Sequence, residues 1–165
     1  MKQSVNRVAV IGGARIPFAR SNGAYADASN KDMLTTAFRG VVDKFQLHGE
    51  RIGEVAAGAV LKHSRDFNLC RESVLSSGLS PETPAFDVQM ACGTGMQAAV
   101  NIGNKIALGQ IEAGIAGGVD TTSDAPIGVN EKLRKILLEA NRGKTSGQKL
   151  KALSKFRPSM IAPAI

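Results

Sequence analysis

The residue best suited to covalent chemistry is Cys92, in the segment QMACGTGMQAAV. The pattern predicts a strand that ends near Gln89 and a helix that begins at the cysteine, with Gly93 and Gly95 in the turn. Unpaired N–H groups and the positive end of a helix dipole converge at such a turn and favour the thiolate. The glycines permit a tight turn and close substrate approach, and the same N–H groups can stabilise an oxyanion. The segment therefore predicts a nucleophile for acyl transfer.

The competing interpretation is that Cys92 is simply a small buried residue, which is the commoner role of a free cysteine. The flanking glycines favour the nucleophile. Cys70 has no such neighbours and shares a predicted helix face with Phe67 and Val74, so we expect it to serve packing alone. Two cysteines in 165 residues predict free thiols and no disulfide framework. We expect no metal.

Strands and helices alternate along the first part of the chain. Short apolar runs predict strands over residues 7–11, 54–61, 85–89 and 111–119. Helical spacing predicts helices over 31–46, with Ser29 or Asn30 as N-cap, and over 67–79 and 92–108. This βαβαβαβ order predicts an α/β fold with a mainly parallel sheet and helices on both faces. The Ala- and Gly-rich helix over 92–108 is expected to pack on more than one side.

The positive charge of the chain is confined to its last part. Residues 1–130 hold 12 Lys and Arg against 12 Asp and Glu, whereas residues 131–165 hold 9 against 2. The character changes near residue 121, which predicts an α/β domain over 1–120 and the beginning of a basic helical domain over 121–165. Such a tail indicates an anionic partner: phosphates of a small ligand, acidic lipid headgroups or nucleic acid.

Apolar side chains interleave with the cations of this tail, as in amphipathic segments that lie on an anionic membrane. They are Leu133, Ile136, Leu137, Leu150, Leu153 and Phe156. One aromatic residue and no recognised motif make nucleic acid the least favoured partner, and we expect none. No run approaches the roughly 18 apolar residues that cross a bilayer, and the N-terminus lacks a signal-peptide pattern. We therefore expect a cytoplasmic protein that can lie peripherally at a membrane.

The string ACGTGMQAA resembles the acyl-accepting cysteine motif of the thiolases. Other matching strings lie in the right order: GARIPFAR at 13–20, GAVL and then FNLCRESVL before the cysteine, and AGGVDTTSDAP at 116–126 after it. Together they cover nearly the whole chain and are specific. The tail from Lys132 onward is similar to the insert of the trifunctional-enzyme beta-subunit branch, which handles 3-ketoacyl thioesters in fatty-acid β-oxidation. The chain is identified as the N-terminal part of a thiolase, with a thiolase-like half-fold.

The resemblance implies that Cys92 attacks the 3-keto carbon of a 3-ketoacyl-coenzyme A, releases acetyl-coenzyme A and holds the shortened acyl chain as a thioester for a second coenzyme A. The reverse reaction condenses two acetyl units. Coenzyme A is then a substrate, and no covalently bound cofactor is expected. The family supplies an activating His, a second Cys and an oxyanion His from a second half that repeats the first. This sequence stops before them, so we expect no turnover from it alone.

The same resemblance implies partners and cofactor contacts. We expect a homo-oligomer (dimer or tetramer), the missing C-terminal half, and a membrane surface or a β-oxidation partner subunit. The loop domain of the family supplies cations around the diphosphate and 3'-phosphate of coenzyme A. The candidates, as a group, are Lys132, Arg134, Lys135, Lys149, Lys151, Lys155 and Arg157. Taken individually, most of them are expected to lie on a solvated helical face.

The two histidines are not assigned to catalysis. His48 follows the first helix in HGER and is expected in a solvated loop, and His63 in KHSRDFN matches a substrate-side loop of the family but no family histidine. The missing partners leave an alternative open, a non-catalytic module that binds coenzyme A or a partner with a thiolase half-fold. A decarboxylating condensing enzyme, with a similar cysteine turn and two histidines, is less favoured because of the tail. A half-fold that lacks its partner layer should also self-associate.

Overall fold

The computed structural model describes residues 5–161, which divide into two units between Ala125 and Pro126. The first unit contains α1 (Asn30–Phe45), β1 (Glu54–Ala57), α2 (Leu69–Leu75), β2 (Ala85–Asp87), α3 (Thr94–Ala107) and β3 (Gly114–Ala116), with a 3-10 turn at Ser64–Asp66. The second contains α4 (Glu131–Arg142), α5 (Ser146–Leu153) and a 3-10 turn at Pro158–Met160. The sequence predicts a boundary near residue 121, a few residues before this division.

The sheet has three parallel strands in the order β2-β1-β3. Val55 lies opposite Ala85 on one side and Ile115 on the other. The chain passes from β1 to β2 through α2 and from β2 to β3 through α3, and these helical crossovers allow all three strands to run in the same direction. The predicted α/β class with a parallel sheet is confirmed.

Helices cover both faces of this sheet because successive side chains of a strand point to opposite sides. Val55 and Ala57 pack into a cluster with α1 and α2, whereas Ala56 packs with Ala98 and Ile102 of α3. β1 is therefore the centre of the unit, buried on both faces, as its short apolar sequence predicts.

The helix predicted over 31–46 is confirmed as α1. Its N-cap is Ser29, which forms a capping box with Asp32, and the hydrogen bonds from Ser29 lower the pKa of the Asp32 carboxyl below its ordinary value. Leu34, Phe38 and Val42 lie one helical turn apart and fill the main core. The amphipathic spacing thus predicted both the extent of the helix and the face that is buried.

The strand predicted over residues 7–11 is wrong. This segment forms no ladder with another described strand, and the side chains of Val10 and Ile11 are 95% and 84% exposed. A β-branched run becomes a strand only if a neighbour pairs with its N–H and C=O groups. Among the described residues, the backbone hydrogen bond nearest to this segment is that of the Asn6 N–H, which donates to the Ala107 carbonyl.

Two other predicted elements are shorter than expected. The run 54–61 forms a strand only as far as Ala57, and further along it the N–H groups of Val60 and Leu61 donate to the carboxylate of Asp120. The helix predicted over 67–79 begins only at Leu69. It ends at Leu75, where the Ser77 hydroxyl donates to the Val74 carbonyl. In both cases a side chain forms a hydrogen bond with a backbone group that would otherwise pair within a longer strand or helix.

The helix predicted over 92–108 forms as α3, but the expectation that it packs on more than one side is wrong. Its buried residues are Thr94, Ala98 and Ile102, which face the sheet, whereas Met96 is 75% exposed and Val100 45%. Within the described part of the first unit, residues 5–125, no element covers the outer face. Small side chains allow close packing on this face of α3, but they do not ensure that another element packs against it.

The second unit is a pair of capped helices. Asn130 accepts from the N–H of Lys132, and Thr145 forms a capping box with Gln148. The helices bury Ile136, Ala140 and Ala152. Both basic segments of the tail are therefore helical.

Across residues 5–161, every helix is too short or too polar to traverse a lipid bilayer.

Candidate functional site

Cys92 lies between β2 and α3, with Gly93 as the N-cap of the helix. Its side chain is exposed and lines a cleft of about 930 Å³ in the first unit. The walls of the cleft come from residues 14–21, the side of α1, the end of β1 and the segment after β3. The predicted strand-turn-helix position of the thiol is therefore what the structure shows.

The backbone folds back sharply around the cysteine. The N–H of Gly93 donates to the Met90 carbonyl at 2.9 Å, and the N–H of Thr94 donates to the Ala91 carbonyl at 3.1 Å. Ala91 has φ +44°, a left-handed conformation that costs a residue with a Cβ roughly 1 kcal/mol. This tight turn presents Cys92 to the cleft.

The two glycines of the motif differ in what their N–H groups do. The N–H of Gly93 donates to the Met90 carbonyl within the turn. Those of Gly95 and Met96, in the first turn of α3, meet no hydrogen-bond acceptor among the described residues. The free donors of the helix N-terminus therefore belong to Gly95 and Met96, and Gly93 shapes the turn. The oxyanion role itself stays a prediction.

Glycines also allow α3 to begin directly on the ends of β1 and β3. A Cβ on Gly58 would overlap the carbonyl oxygen of Val88, and a Cβ on Gly118 would lie 3.3 Å from the Gly58 carbonyl oxygen and 3.5 Å from the Gly95 Cα. The Gly117–Gly118 pair is visible in the sequence as a break after an apolar run. The close packing of Gly118 against Gly58 and Gly95 is not visible there, because these contacts join residues that are distant in the chain, and Gly117 makes no such contact.

The rim of the cleft is formed by side chains that the sequence did not identify as functional. The Asp120 carboxylate accepts from the N–H groups of Val60 and Leu61, at 3.0 and 3.1 Å. The Thr122 hydroxyl donates to Ser21 Oγ at 2.8 Å, and the Asn22 N–H donates to Ser123 Oγ at 2.8 Å. The last two bonds tie residues 21–22, which directly follow the segment GARIPFAR, to the segment after β3. The only sequence signal is that polar residues directly follow a strand.

Neither histidine reaches the cleft. His63 Nε2 lies 2.9 Å from the Asp124 carbonyl oxygen and 3.2 Å from its carboxylate, which also accepts from Arg65. His48 is exposed and pairs with Asp43 at 2.8 Å. His48 is solvated, as the sequence predicts, and His63 lies outside the residues that line the cleft. The polar and titratable side chains that line the cleft with Cys92 include Arg15, Arg20, Tyr25 and Asp120.

Cys70 occupies a different environment. It is fully buried, and burial together with the nearby Asp87 carboxylate raises the pKa of its thiol to about 12. Its Sγ donates to the Val55 carbonyl at 3.7 Å. A thiol so protonated and enclosed is inert, in agreement with the predicted packing role.

All seven candidate coenzyme A contacts lie exposed in the second unit. Arg134 and Lys135 pair with Glu131, whose pKa the Arg134 hydrogen bond lowers to about 2, and Lys155 pairs with Glu139. The other four make no ion pair with a described residue: Lys132, Lys149, Lys151 and Arg157. No cluster of three metal-ligating side chains occurs in residues 5–161.

Comparisons with known proteins place the chain in one family. A family model described as the thiolase N-terminal domain matches residues 8–158. A 3-ketoacyl-CoA thiolase of Photorhabdus laumondii is 39% identical over 99% of this chain and 38% of its own length. The mitochondrial trifunctional enzyme subunit beta of Homo sapiens is 35% identical over 99% of this chain and 35% of its own length.

The chain thus spans little more than a third of the length of these relatives. In fold, it is similar to the crystal structure of the Bacillus anthracis acetyl-CoA acetyltransferase. The TM-score is 0.72, with 23% identity, over 77% of this chain and 32% of that one. With the matched family model covering nearly all of the described residues, the chain belongs to the thiolase family and corresponds to its N-terminal domain.

Proposed function

We propose that Cys92 is the acyl-accepting nucleophile of a thiolase-type acyltransferase that acts on coenzyme A thioesters. The observation that carries the proposal is an exposed thiol at the start of α3, inside a cleft and beside the unbonded N–H groups of Gly95 and Met96. A helix N-terminus with free donors stabilises negative charge on a thiolate or an oxyanion. The printed names of the relatives support 3-ketoacyl-CoA as the substrate class.

In the proposed thiolysis the thiolate sulfur of Cys92 attacks the 3-keto carbon, and the carbonyl electron pair moves onto oxygen. Collapse of this adduct breaks the bond between C2 and C3, leaves the acyl group on sulfur, and releases the acetyl-coenzyme A carbanion, which takes a proton. The thiol of a second coenzyme A then attacks the thioester and restores the free cysteine. No histidine among the described residues lines the cleft to move these protons. We therefore propose that this chain alone is acylated slowly and does not turn over.

The test is acetylation of the full chain by acetyl-coenzyme A, mapped by peptide mass spectrometry. We expect an acetyl group on Cys92 and none on Cys70, which serves as an internal control because it is buried and protonated. An adduct on Cys70, or no adduct at all, would contradict the proposal.

The absence of a histidine among the described cleft residues favours a second candidate, a non-catalytic module that binds coenzyme A or a partner protein. The two functions separate when the chain is combined with the C-terminal portion of a thiolase relative. Thiolysis of acetoacetyl-coenzyme A by the mixture supports the acyltransferase, whereas coenzyme A binding without thiolysis supports the module.

We also propose that the basic face of the second unit contacts the phosphates of coenzyme A. Lys149 and Lys151 lie exposed on α5 without an ion-pair partner among residues 5–161. Changing both to Gln should weaken coenzyme A binding about tenfold and reduce its salt dependence. The matched control, Arg7→Gln with Arg51→Gln, removes the same charge from exposed positions of the first unit. Equal binding by the two double variants would contradict this role.

A membrane surface competes for the same cations. The second unit also exposes Leu150, Leu153 and Phe156, as interfacial helices do. Sedimentation with vesicles of phosphatidylcholine, with and without phosphatidylserine, separates the two partners. Binding that needs phosphatidylserine and is unaffected by excess coenzyme A supports a peripheral location, and competition by coenzyme A supports the cofactor role alone.

Self-association is proposed from the first unit. Val10, Ile11, Met96 and Val100 expose apolar surface that a stable monomer rarely leaves open. Light scattering after gel filtration should give a mass of at least two chains. A monodisperse monomer at micromolar concentration would contradict the proposed homo-oligomer for this chain.

A further inference from the structure

Thr94 holds the turn around Cys92 together from the inside. Its side chain is buried, and its Oγ1 accepts a hydrogen bond from the Met90 N–H at 2.9 Å. The same hydroxyl donates to the Ala91 carbonyl at 2.7 Å. One side chain therefore links the first residue of α3 to both residues that precede the cysteine.

The two bonds act on the strained part of the turn. Ala91 keeps its left-handed backbone only if the surrounding structure holds it there. Without the hydroxyl, the Met90 N–H loses its acceptor and the Ala91 carbonyl loses one of its two donors. The peptide planes on either side of Ala91 are then held only by the bonds from the Gly93 and Thr94 N–H groups, and these planes set the direction of the Cys92 side chain.

The methyl group of Thr94 has a separate contact. It faces Gly58, where an added Cβ would lie 3.1 Å from Thr94 Cγ2. A β-branched side chain has few χ1 rotamers, so this contact also fixes the direction of the hydroxyl. Serine would keep the hydroxyl without the methyl, and valine would keep a methyl in its place without the hydroxyl.

We propose that Thr94 is a positioning residue for acyl transfer: its hydroxyl orients Cys92 so that the oxygen of an attacked carbonyl meets the free N–H groups of Gly95 and Met96. The inference rests on the proposed role of Cys92 as acyl acceptor. The sulfur bonds to the carbonyl carbon, the carbonyl electron pair moves to oxygen, and its return expels the leaving group as an anion that takes a proton from water. Alkylation of the same sulfur by iodoacetamide expels iodide and develops no oxyanion at the N–H groups.

The experiment compares Thr94→Val and Thr94→Ser with the unchanged full chain. Acetylation of Cys92 is measured with acetyl-coenzyme A and with 4-nitrophenyl acetate, and alkylation of both cysteines with iodoacetamide. We expect Thr94→Val to slow both acetylations about 10- to 100-fold, because a small misplacement of a reacting atom costs about that much. We expect Thr94→Ser to restore acetylation, and alkylation of Cys92 to change by less than about threefold in either variant.

The aryl ester separates the inference from the proposed function, since it needs no coenzyme A site. Equal acetylation of Thr94→Val and the unchanged chain by this ester overturns the inference. Acetylation of the unchanged chain by the ester but not by acetyl-coenzyme A overturns the proposed function and leaves the comparison of variants valid.

Cys70 reports whether a variant has folded, because it reacts with iodoacetamide only when exposed. If Thr94→Val exposes it, Thr94→Ala replaces that variant, since it removes the hydroxyl without placing a methyl beside the Met90 N–H. The same slowing in Thr94→Ala, with Cys70 protected, supports the inference, and unslowed acetylation there overturns it.

Discussion

The two cysteines of the chain both lie near the N-terminus of a helix that follows a strand, yet their surroundings differ. Cys70 is the second residue of α2, and the first N–H groups of that helix donate to the Asp87 carboxylate, from Leu69 at 3.3 Å and from Cys70 at 2.7 Å. Cys92 precedes α3, where the N–H groups of Gly95 and Met96 meet no described acceptor. The Asp87 carboxylate thus occupies the N–H donors at the N-terminus of α2, whereas the N–H groups of Gly95 and Met96 at the N-terminus of α3 remain available to a ligand.

Burial completes the contrast. The core encloses Cys70 completely and keeps its thiol protonated, while Cys92 stands exposed in the cleft. A helix N-terminus therefore does not by itself make a nucleophile. The decisive features are whether an anion already occupies the donors and whether the sulfur can meet a substrate.

The largest expected effect is on acyl transfer. Cys92→Ala should abolish acetylation by acetyl-coenzyme A, because no other thiol reaches the cleft among the described residues. Cys70→Ala, the matched control, should keep acetylation at Cys92. Mass spectrometry of both variants checks the result, and residual acetylation in Cys92→Ala would break the comparison.

The next effect is on stability, at the seat of α3. Gly58→Ala should lower the free energy of unfolding by about 3 kcal/mol, since its Cβ overlaps the rigid backbone at Val88. Gly117→Ala is the control, because its Cβ would meet no heavy atom within 4 Å. Urea denaturation measures both. Equal stability of the two variants would show that α3, and with it Cys92, is not seated on the strand ends in this way.

A smaller effect concerns pH and the buried thiol. Burial raises the pKa of Cys70 from 9.0 to about 12, so the folded state holds this proton more tightly than the unfolded chain. The resulting stability is complete below about pH 9 and is lost as pH rises toward 12.

Between pH 8 and 10.5 the unchanged chain should therefore lose about 2 kcal/mol more than Cys70→Ala does, measured by urea denaturation at each pH. An identical pH dependence in Cys70→Ala and the unchanged chain would show that burial does not hold the Cys70 proton in this way.

The smallest effect is at the turn before Cys92. Ala91→Gly should raise the free energy of unfolding by about 0.5–1 kcal/mol, because glycine adopts a positive φ without strain. Ala99→Gly, on the exposed side of α3, should lower it by about 1 kcal/mol, since glycine is unfavourable inside a helix. Thermal denaturation of the pair checks the opposite signs. A loss in both would mean that Ala91 is not strained.

Much of this arrangement follows from local sequence patterns. The spacing of apolar residues and Ser29 give α1, and the glycines around Cys92 give the strand-turn-helix junction. The run RVAVI did not become a strand because pairing needs a second backbone, which spacing within one segment cannot reveal. Nothing in the sequence pointed to Thr94, since its hydroxyl acts on backbone groups that only the folded turn brings within reach.

By itself, the sequence determined the alternation of strands and helices, the family motif and the place of Cys92 at the start of a helix, because these depend on near neighbours in the chain. Only the tertiary structure decided which cysteine is open to a substrate. Asp87 fills the N-terminus of α2 from the end of another strand, and the core closes over Cys70, whereas the cleft leaves Cys92 accessible. Solvation and competing hydrogen bonds arise from residues distant in sequence, so the reactivity of a thiol depends on the folded chain.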